Sequence, residues 1–341
     1  MEFINTAPFG ARFFNTVFGE DRMLGAVVAR PTFRIEAERL VPTPDQPWPI
    51  EGAPVETPHG TFPADTPFLS GGIDVFVTGN GYAPPGQASS EVRVDVTVGA
   101  AFKRSIRVIG DRVWRSESAA GVPPEQRDLR PTPPQPFVSM PLTWDRAFGG
   151  SAPAEPMPFA YPANPGGRGF YLAAEQAENN PLPNLEDYDA PIKHFLDRPE
   201  PVGTAPYPPE GSLRALNAID LEINKQQPEE SRIKRITPRF FNSANPRMII
   251  PPARTPRPGE LIEVTAVRPT GSLRFTMPAV RLRVEVKLED RSYLFPLHLD
   301  QIGILAEEQR VFLSYRVAFK YRIVPMELRR TTLRQILDDP Q

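Results

Sequence analysis

Three histidines are the first candidates for chemistry, because an imidazole can act as a general base or bind a metal near neutral pH. They are His59 in TPHGTF, His194 after PIK and His298 in FPLHLDQ. Their spacing differs from the HExxH pattern that places two imidazoles on one helix face to bind zinc. We therefore expect each histidine to be solvated or hydrogen-bonded, and we predict no metal site.

Nucleophiles and phosphate loops give equally weak signals. Ser70 and Ser151 lie beside glycines, yet the chain has no GxSxG elbow and neither serine has a recognisable base partner. The segment NPGGRGF, 164–170, has the glycines of a phosphate loop, but a proline-rich loop rather than a strand precedes it. We expect these glycines to permit tight turns.

The segment NLEDYDAP contains three carboxylates, Glu186, Asp187 and Asp189. A glycosidase needs two carboxylates held at a set distance. Because prolines flank this cluster, we expect a solvated turn instead. The sequence therefore predicts neither a catalytic residue nor a cofactor.

Charge and composition exclude several classes of protein. The chain has 39 Lys+Arg against 41 Asp+Glu and a net charge of −2, so we expect no nucleic-acid partner. Apolar runs are shorter than the roughly 20 residues of a membrane span, and the N-terminus lacks the features of a secretory signal. Cysteine is absent, which excludes disulfides and thiolate chemistry and fits the cytoplasm, the location we expect.

The segment SMPLTWDRAFGG, 139–150, places a charged pair between aromatic residues and ends in two glycines. Its apolar side chains can be buried at about 25 cal/mol per Å². Arg146 carries five donors that can hold loop carbonyls or a carboxylate such as Asp145. We interpret the segment as a structural corner that makes the surrounding loops rigid.

Alternation of apolar and polar residues predicts a mainly β protein. In EVRVDVTVG, Val92, Val94, Val96 and Val98 alternate with polar residues, as in a half-buried strand. Similar strands are predicted around 24–42, 282–288 and 311–321. The 44 prolines break helices, so long stiff connections should join these strands.

The pattern divides the chain into three segments. We predict an N-terminal β module over 1–130, a proline-rich loop region over 131–258 with one helix near 211–226, and a C-terminal β segment over 259–341. A terminal amphipathic helix is predicted over 326–337. The fold class is thus two antiparallel sandwich-like β modules with a long loop region and a short C-terminal helix.

Several motifs, taken in chain order, resemble those of a bacterial family long catalogued as a domain of unknown function that accompanies type VI secretion loci. The resemblance covers most of residues 25–320. The motifs are IDVFVTGNGYAPPG, VGAAFKRSIRVIGDRVW, MPLTWDRAFGG, NPGGRGF, LPNLE, FFNSANP and GELIEVTAVRPTGSLRFTMP. The segment 210–238 departs from the family pattern, which suggests a subtype with a different cargo.

The resemblance implies a cytoplasmic adaptor or chaperone that binds a toxin effector and helps to load it onto a spike protein of the VgrG/PAAR type. No catalysis is expected, and the oligomeric state is left open. The residues that we expect to bind the partner or organise the loops are Trp144, Asp145, Arg146, Phe148, Asn164, Arg168, Phe170 and Asn184.

Two alternatives remain open at this point. One is a carbohydrate-active hydrolase or lectin-like β protein, which requires a pocket with convergent polar groups. The other is a structural component of the secretion apparatus itself.

Overall fold

The fold is described from a computed structural model over residues 1–18, 21–46, 48, 50–58, 60–118, 121–123, 126–207, 238–288, 291–322, 324 and 329–336. The strands, in chain order, are β1 Glu2–Asn5, β2 Ala11–Val17, β3 Arg22–Ala29, β4 Thr32–Glu36, β5 Arg39–Pro42, β6 Val55–Thr57, β7 Gly60–Phe62, β8 Ile73–Thr78, β9 Asn80–Tyr82, β10 Glu91–Val98, β11 Phe102–Ile109, β12 Trp114–Ser116, β13 Leu129–Pro131, β14 Ser139–Pro141, β15 Phe148–Gly149, β16 Ser151–Ala152, β17 Phe159–Ala160, β18 Arg168–Gly169, β19 Leu185–Asp187, β20 Ile249–Ile250, β21 Leu261–Arg268, β22 Gly271–Thr276, β23 Leu282–Leu288, β24 Arg291–Pro296, β25 His298–Leu305, β26 Arg310–Arg322 and β27 Arg329–Gln335.

Helical structure in the described part of the chain is short. It comprises an α-helix, α1, and four 3-10 helices, whose bounds are Ala174–Ala177 for α1 and Trp144–Arg146, Pro238–Phe241, Pro246–Met248 and Pro252–Arg254 for the others. No described helix is long and apolar enough to cross a membrane.

The largest sheet has eight strands, with β2, β3, β26, β25, β8 and β20 in that order and β4 and β5 attached beside β26. β25 and β8 run parallel, while β26 pairs antiparallel with both β3 and β25. The central strand β26 is buried continuously from Val311 to Val317. Its residues therefore face packed structure on both sides of the sheet rather than alternating between core and solvent.

Two further sheets complete the main core. One has the order β19, β11, β10, β21, β22, and the other has the order β1, β27, β23, β24. In β10 the predicted alternation is confirmed, because Val92, Val94, Val96 and Val98 are all buried. Buried side chains of all three large sheets form one continuous apolar cluster.

The loop region has a smaller core of its own. Five two-stranded sheets lie among the described residues, and three of them, β12–β13, β15–β18 and β16–β17, belong to the segment 114–169. The second apolar cluster consists of Trp114, Leu129, Phe148, Ala152, Phe170, Ala174, Ala177, Leu182, Ile192 and Phe195. Aromatic side chains therefore fix loops that the prolines exclude from regular structure.

The mainly β prediction is confirmed, with one correction at the C-terminal end. Residues 329–335 form β27 and not a helix. Its backbone pairs with β1 on one side and β23 on the other, and these ladder bonds outweigh the helical spacing of its apolar residues. The helix predicted near 211–226 lies outside the described residues.

The pairing also differs in part from an all-antiparallel arrangement, because β1–β27, β15–β18 and β25–β8 are parallel. Strands of the segments 1–130 and 259–341 share all three large sheets, as in the pairs β3–β26, β10–β21 and β1–β27. Strands that precede the loop region in the sequence therefore pair with strands that follow it.

Candidate interaction surface

The corner begins with a short 3-10 turn whose tryptophan points inward. Trp144 is buried, and its indole Nε1 donates hydrogen bonds to the carbonyl oxygens of Ala205 at 3.1 Å and Pro206 at 2.8 Å. Its ring packs on Tyr207 at a centroid distance of 4.5 Å. A Cβ at Gly203 would lie 2.5 Å from the indole, so only glycine allows the chain to pass this closely.

Asn164 links the corner to the segment NPGGRGF. Its side-chain Nδ2 donates to the carbonyls of Trp144 at 2.8 Å and Phe148 at 3.1 Å, and its own carbonyl accepts from the Gly150 amide at 2.8 Å. Gly149 has a φ of +151°, and a Cβ there would lie 2.1 Å from the Asn164 oxygen. Gly149 and Gly150 therefore allow two loops to pack closely, in addition to the turns that the sequence predicted.

The same two loops are joined by a parallel strand pair, β15 with β18, in which Phe148 lies opposite Arg168. Phe148 and Phe170 are both buried in the second apolar cluster. Tyr161 packs edge-on against Phe148 at a centroid distance of 4.9 Å. Aromatic packing thus holds the inner side of the corner.

Asn184 organises the outer side. Its Nδ2 donates to the carbonyl of Ile109 and to Oδ1 of Asp111, both at 2.9 Å. Its Oδ1 accepts from Arg146 at 3.2 Å and from Arg168 at 3.4 Å. One buried amide therefore orients two guanidinium groups, and Arg146 also lies 3.7 Å from the Asp145 carboxylate, the partner of Arg168.

Charge is balanced across this outer side. Arg168 donates from Nε to the carbonyl of Asp145 at 2.8 Å and approaches its carboxylate at 3.4 Å, and Arg146 lies 3.4 Å from Asp111. Burial, together with the charge of Arg146, lowers the pKa of Arg168. Both carboxylates are exposed, so the group presents two fixed cations and two anions at the surface.

The structure brings together all eight residues predicted for the site. Their contacts are bonds to backbone carbonyls, aromatic packing and surface ion pairs, and these contacts hold loops in place.

Exposed apolar side chains surround the corner, and they were not among the predicted site residues. Met157 is 69% exposed and Phe159 is 53% exposed, and Phe159 lies 5.9 Å from the buried Phe170 ring. The guanidinium of Arg198 covers Phe170 at 4.7 Å. We use the name loop platform for the eight predicted site residues together with Met157, Phe159, Leu172, Leu196 and Arg198. The signal in the sequence was an apolar pair between prolines in EPMPFA, where no strand alternation requires burial.

The prediction of a solvated turn for NLEDYDAP is wrong for two of its three carboxylates. Glu186 and Asp187 lie in β19 and are buried. Glu186 pairs with Arg112, and Asp187 pairs with Arg104 at 2.9 Å and with Arg247. Burial raises the pKa of Glu186, and the guanidinium of Arg112 opposes that effect. Strong cationic partners explain how strand β19 accommodates these charges.

The histidines are far less constrained. His194 is exposed, and its Nδ1 accepts a hydrogen bond from the Leu196 amide at 3.1 Å. His298 is exposed at the rim of a cavity of about 220 Å³ that also includes Ser70 and Asp300. His59 lies outside the described residues, and the residues that are described contain no group of three or more acidic or imidazole side chains able to hold a metal.

A buried charge cluster lies behind that cavity. Arg316 donates to Asp300 at 2.9 Å, and Arg30 pairs with Asp65 at 2.6 Å. Arg316 also lies 3.7 Å from Asp65, so the two ion pairs are joined. All four side chains are buried. Removing one partner of either ion pair would leave a buried charge without its counter-charge, which destabilises the fold.

Comparison with known proteins gives one match. No curated protein and no solved structure matches the chain. A family model, described as uncharacterized protein conserved in bacteria (DUF2169), matches residues 20–316. That stretch contains the corner, NPGGRGF, Asn184 and strands of all three large sheets. The chain therefore belongs to this family of uncharacterized bacterial proteins.

Proposed function

We propose that the protein is a cytoplasmic adaptor or chaperone that binds a type VI secretion effector and helps to load it onto the spike complex. The observation that supports this proposal best is the loop platform. Its loops are fixed by Asn164 and Asn184 from within, while Met157 and Phe159 are left exposed. Loops that are ordered before binding lose less conformational entropy when a partner docks.

The chemistry of the platform suits a protein partner. Exposed apolar side chains beside an arginine over an aromatic ring form the kind of centre that carries binding energy in protein interfaces. The fixed ion pairs around Arg146 and Arg168 supply a polar rim. The resemblance of the motifs to a family that accompanies type VI secretion loci adds the class of partner.

Co-purification tests the proposal. The chain is expressed with the spike protein and the effector encoded beside it, and each pair and the trio are run on size-exclusion chromatography. We expect a stable binary or ternary complex that the double variant Met157→Asp, Phe159→Ala abolishes. The variant Leu261→Ser is the matched control, because Leu261 is also an exposed apolar residue but lies on β21, outside the platform.

Elution as a lone protein, together with effector export that persists after deletion of the gene, would contradict the adaptor proposal. Stable incorporation of the chain into purified secretion particles would favour a structural component instead.

A second candidate function is hydrolysis or binding of a carbohydrate, and one observation favours it. Ser70, His298 and Asp300 line a single cavity, and the Ser70 hydroxyl donates to the Asp300 carboxylate. However, the Asp300 carboxylate also accepts a hydrogen bond from Arg316 at 2.9 Å, so it is part of the buried charge cluster as well as of the cavity. Oligosaccharide binding or hydrolysis that is lost in both Ser70→Ala and His298→Ala would favour this function over the adaptor.

A further inference from the structure

A groove lies between the four-stranded sheet and the end of β26, away from the loop platform in sequence. Its volume is about 400 Å³. The apolar lining residues are Val286, Leu288, Tyr293, Phe295, Phe319, Tyr321 and Val324. Phe295 stacks on Phe319 at a centroid distance of 5.6 Å with the rings 7° apart, so the floor of the groove is a rigid aromatic pair. We name this feature the β24 groove.

One wall of the groove is the edge strand β24. Among the residues that the structure describes, β24 pairs with β23 alone and lies at the end of its sheet. In an antiparallel pair, alternate residues of an edge strand direct their amide and carbonyl groups away from the neighbouring strand. Those groups are a template for one more strand.

The side chains of β24 are unusual for an exposed edge. Leu294 is 56% exposed and Tyr293 is 42% exposed, whereas solvent-exposed edges normally carry charged residues or are covered. The opposite wall is the end of β26, which also has an open edge. β25 pairs with β26 only as far as Arg316, so within the described chain residues 317–322 have no strand partner on that side. Two strand edges with apolar side chains therefore face the same groove.

Cations surround the groove. Its polar lining residues are Lys320, Arg322 and Arg329, and no carboxylate lines it within the part of the chain that the structure describes. Lys320 lies over the Phe18 ring at 4.1 Å, and Arg322 approaches the exposed Asp21 at 3.7 Å. An exposed ion pair of that length is weak, so Asp21 offsets little of the charge of Arg322.

We propose that the β24 groove binds an extended segment of a partner protein in which apolar residues alternate with acidic ones. The segment pairs with the edge of β24 as an added strand. Its apolar side chains enter the groove over Phe295 and Phe319. Its carboxylates point to the other face of the added strand and meet Lys320 and Arg322, which alternate with Phe319 and Tyr321 along β26. Backbone pairing of this kind gives affinity, and the pockets for alternate side chains give specificity.

This site is separate from the proposed adaptor function. The β24 groove belongs to the main core and shares no residue with the loop platform, whose core is the second apolar cluster. Loss of peptide binding in groove variants would leave the co-purification experiment unaffected. The reverse also holds for variants of Met157 and Phe159.

Fluorescence anisotropy on the full chain tests the proposal, with a fluorescein-labelled peptide of alternating Val and Glu, about eight residues long to cover a strand. We expect saturable binding that weakens as salt is raised, because the charges are exposed. A peptide with Lys in place of each Glu should not bind. A peptide N-methylated at alternate residues keeps every side chain, and it should bind at least tenfold more weakly because it cannot pair with the edge.

Two variants locate the binding site. The double variant Lys320→Glu, Arg322→Glu should weaken binding of the acidic peptide at least tenfold, and Tyr293→Ser should weaken it severalfold. The control Arg115→Glu, Lys193→Glu makes the same charge change at exposed residues outside the groove and should leave binding unchanged. Thermal melting of each variant identifies any loss of folding.

Three results would overturn the proposal. They are no saturable binding of the acidic peptide, equal binding of the N-methylated peptide, and equal binding to the charge-reversed variant. A dimer that is detected by size-exclusion chromatography and disrupted by Tyr293→Ser would assign the groove to a second copy of the chain instead.

Discussion

The three large sheets and the loop platform are both ordered, but they are stabilised by different interactions. In the sheets, fully buried aromatic and branched side chains such as Phe76, Phe312 and Val94 form one cluster. In the platform, the loop carbonyls of Trp144 and Phe148 are held by one amide side chain, and the apolar cluster beneath is small. Apolar burial is insensitive to the direction of a contact, whereas hydrogen bonds fix the position of each loop.

This difference suggests a division of work within one chain. The sheets supply most of the free energy of folding, because they bury most of the apolar surface. Part of this free energy offsets the conformational entropy that is lost when the proline-rich loops of the platform are held in one conformation. The comparison can be tested by removing single side chains from each region.

The largest effect should follow from Phe312→Ala in the eight-stranded sheet. Phe312 is fully buried, stacks on Trp48 at 5.1 Å and packs edge-on against Phe62 at 5.9 Å. We expect the free energy of unfolding to fall by about 3–5 kcal/mol, as for other buried aromatic truncations. Urea denaturation measures it, and Leu294→Ala at an exposed position is the control. A loss below 1 kcal/mol would contradict the assignment of the main core.

Asn164→Ala should have the next largest effect, and it should be local. The variant leaves the buried Phe148 carbonyl without the Asn164 donor and removes one of two donors to the Trp144 carbonyl, which keeps the Ala147 amide. Together these losses cost about 2–4 kcal/mol. Hydrogen exchange should increase around 144–170 before it increases in β10 or β26. Asn180→Ala, which removes an exposed amide, is the matched control. Uniform exchange over the whole chain would mean that the platform is not a separate unit of stability.

The pH dependence of the sheets should be set in part by Asp74 on β8. Burial raises the pKa of Asp74 to about 7, although the Ser243 amide and the Asn242 side chain lower it. The unfolded chain has released this proton above about pH 4, whereas the folded chain retains it until about pH 7. Stability from this group is therefore lost as pH rises through that window, by about 2–3 kcal/mol between pH 5 and 7.

Unfolding of the wild type and of Asp74→Asn at several pH values measures this contribution. The variant has no proton to lose at this position, so the slope between pH 5 and 7 should be smaller. The variant Asp145→Asn on the platform should keep the slope of the wild type. Equal slopes in wild type and Asp74→Asn would contradict the assigned titration.

The smallest effect is expected for Asp145→Ala. Its carboxylate is exposed and lies 3.4 Å from Arg168, and such pairs contribute about 0–1 kcal/mol. The backbone carbonyl of Asp145 still accepts from Arg168 Nε in the variant. A loss above 2 kcal/mol in chemical denaturation would show that the exposed ion pairs are a structural part of the platform and that the comparison needs revision.

The sequence predicted the residues of the platform better than the pairing of the strands. In SMPLTWDRAFGG, Trp144 and Arg146 could be singled out because a large apolar side chain, a guanidinium with five donors and two glycines occur in one short segment. Alternation found β10 and β23 because each has one buried face. Alternation also found β26, but it did not indicate that both faces of this strand are covered, with the polar Ser314 and Arg316 buried.

Other features were not accessible from local patterns. The helical spacing of 326–337 gave no hint that β1 would pair with residues 330–333, because a partner more than 300 residues away leaves no local signal. The burial of Glu186 depends on Arg112, which is brought close only by the fold. The prolines around Met157 and Phe159 exclude a regular element, but the exposure of these two side chains became certain only when the second cluster was seen to be complete without them.

The pairing of β1 with β27 has a consequence for how the protein is made. Residues 2–5 can pair with β27 only after residues 330–333 have been synthesised. In the same way, β3 can pair with β26 only after residues 315–322 have been synthesised. Synthesis proceeds at about 5–20 residues per second, so the first strands spend many seconds without their partners. Non-local pairing of this kind also slows folding. A nascent chain stalled before β26 therefore exposes the buried face of β3, and premature termination should yield aggregates rather than a smaller folded product.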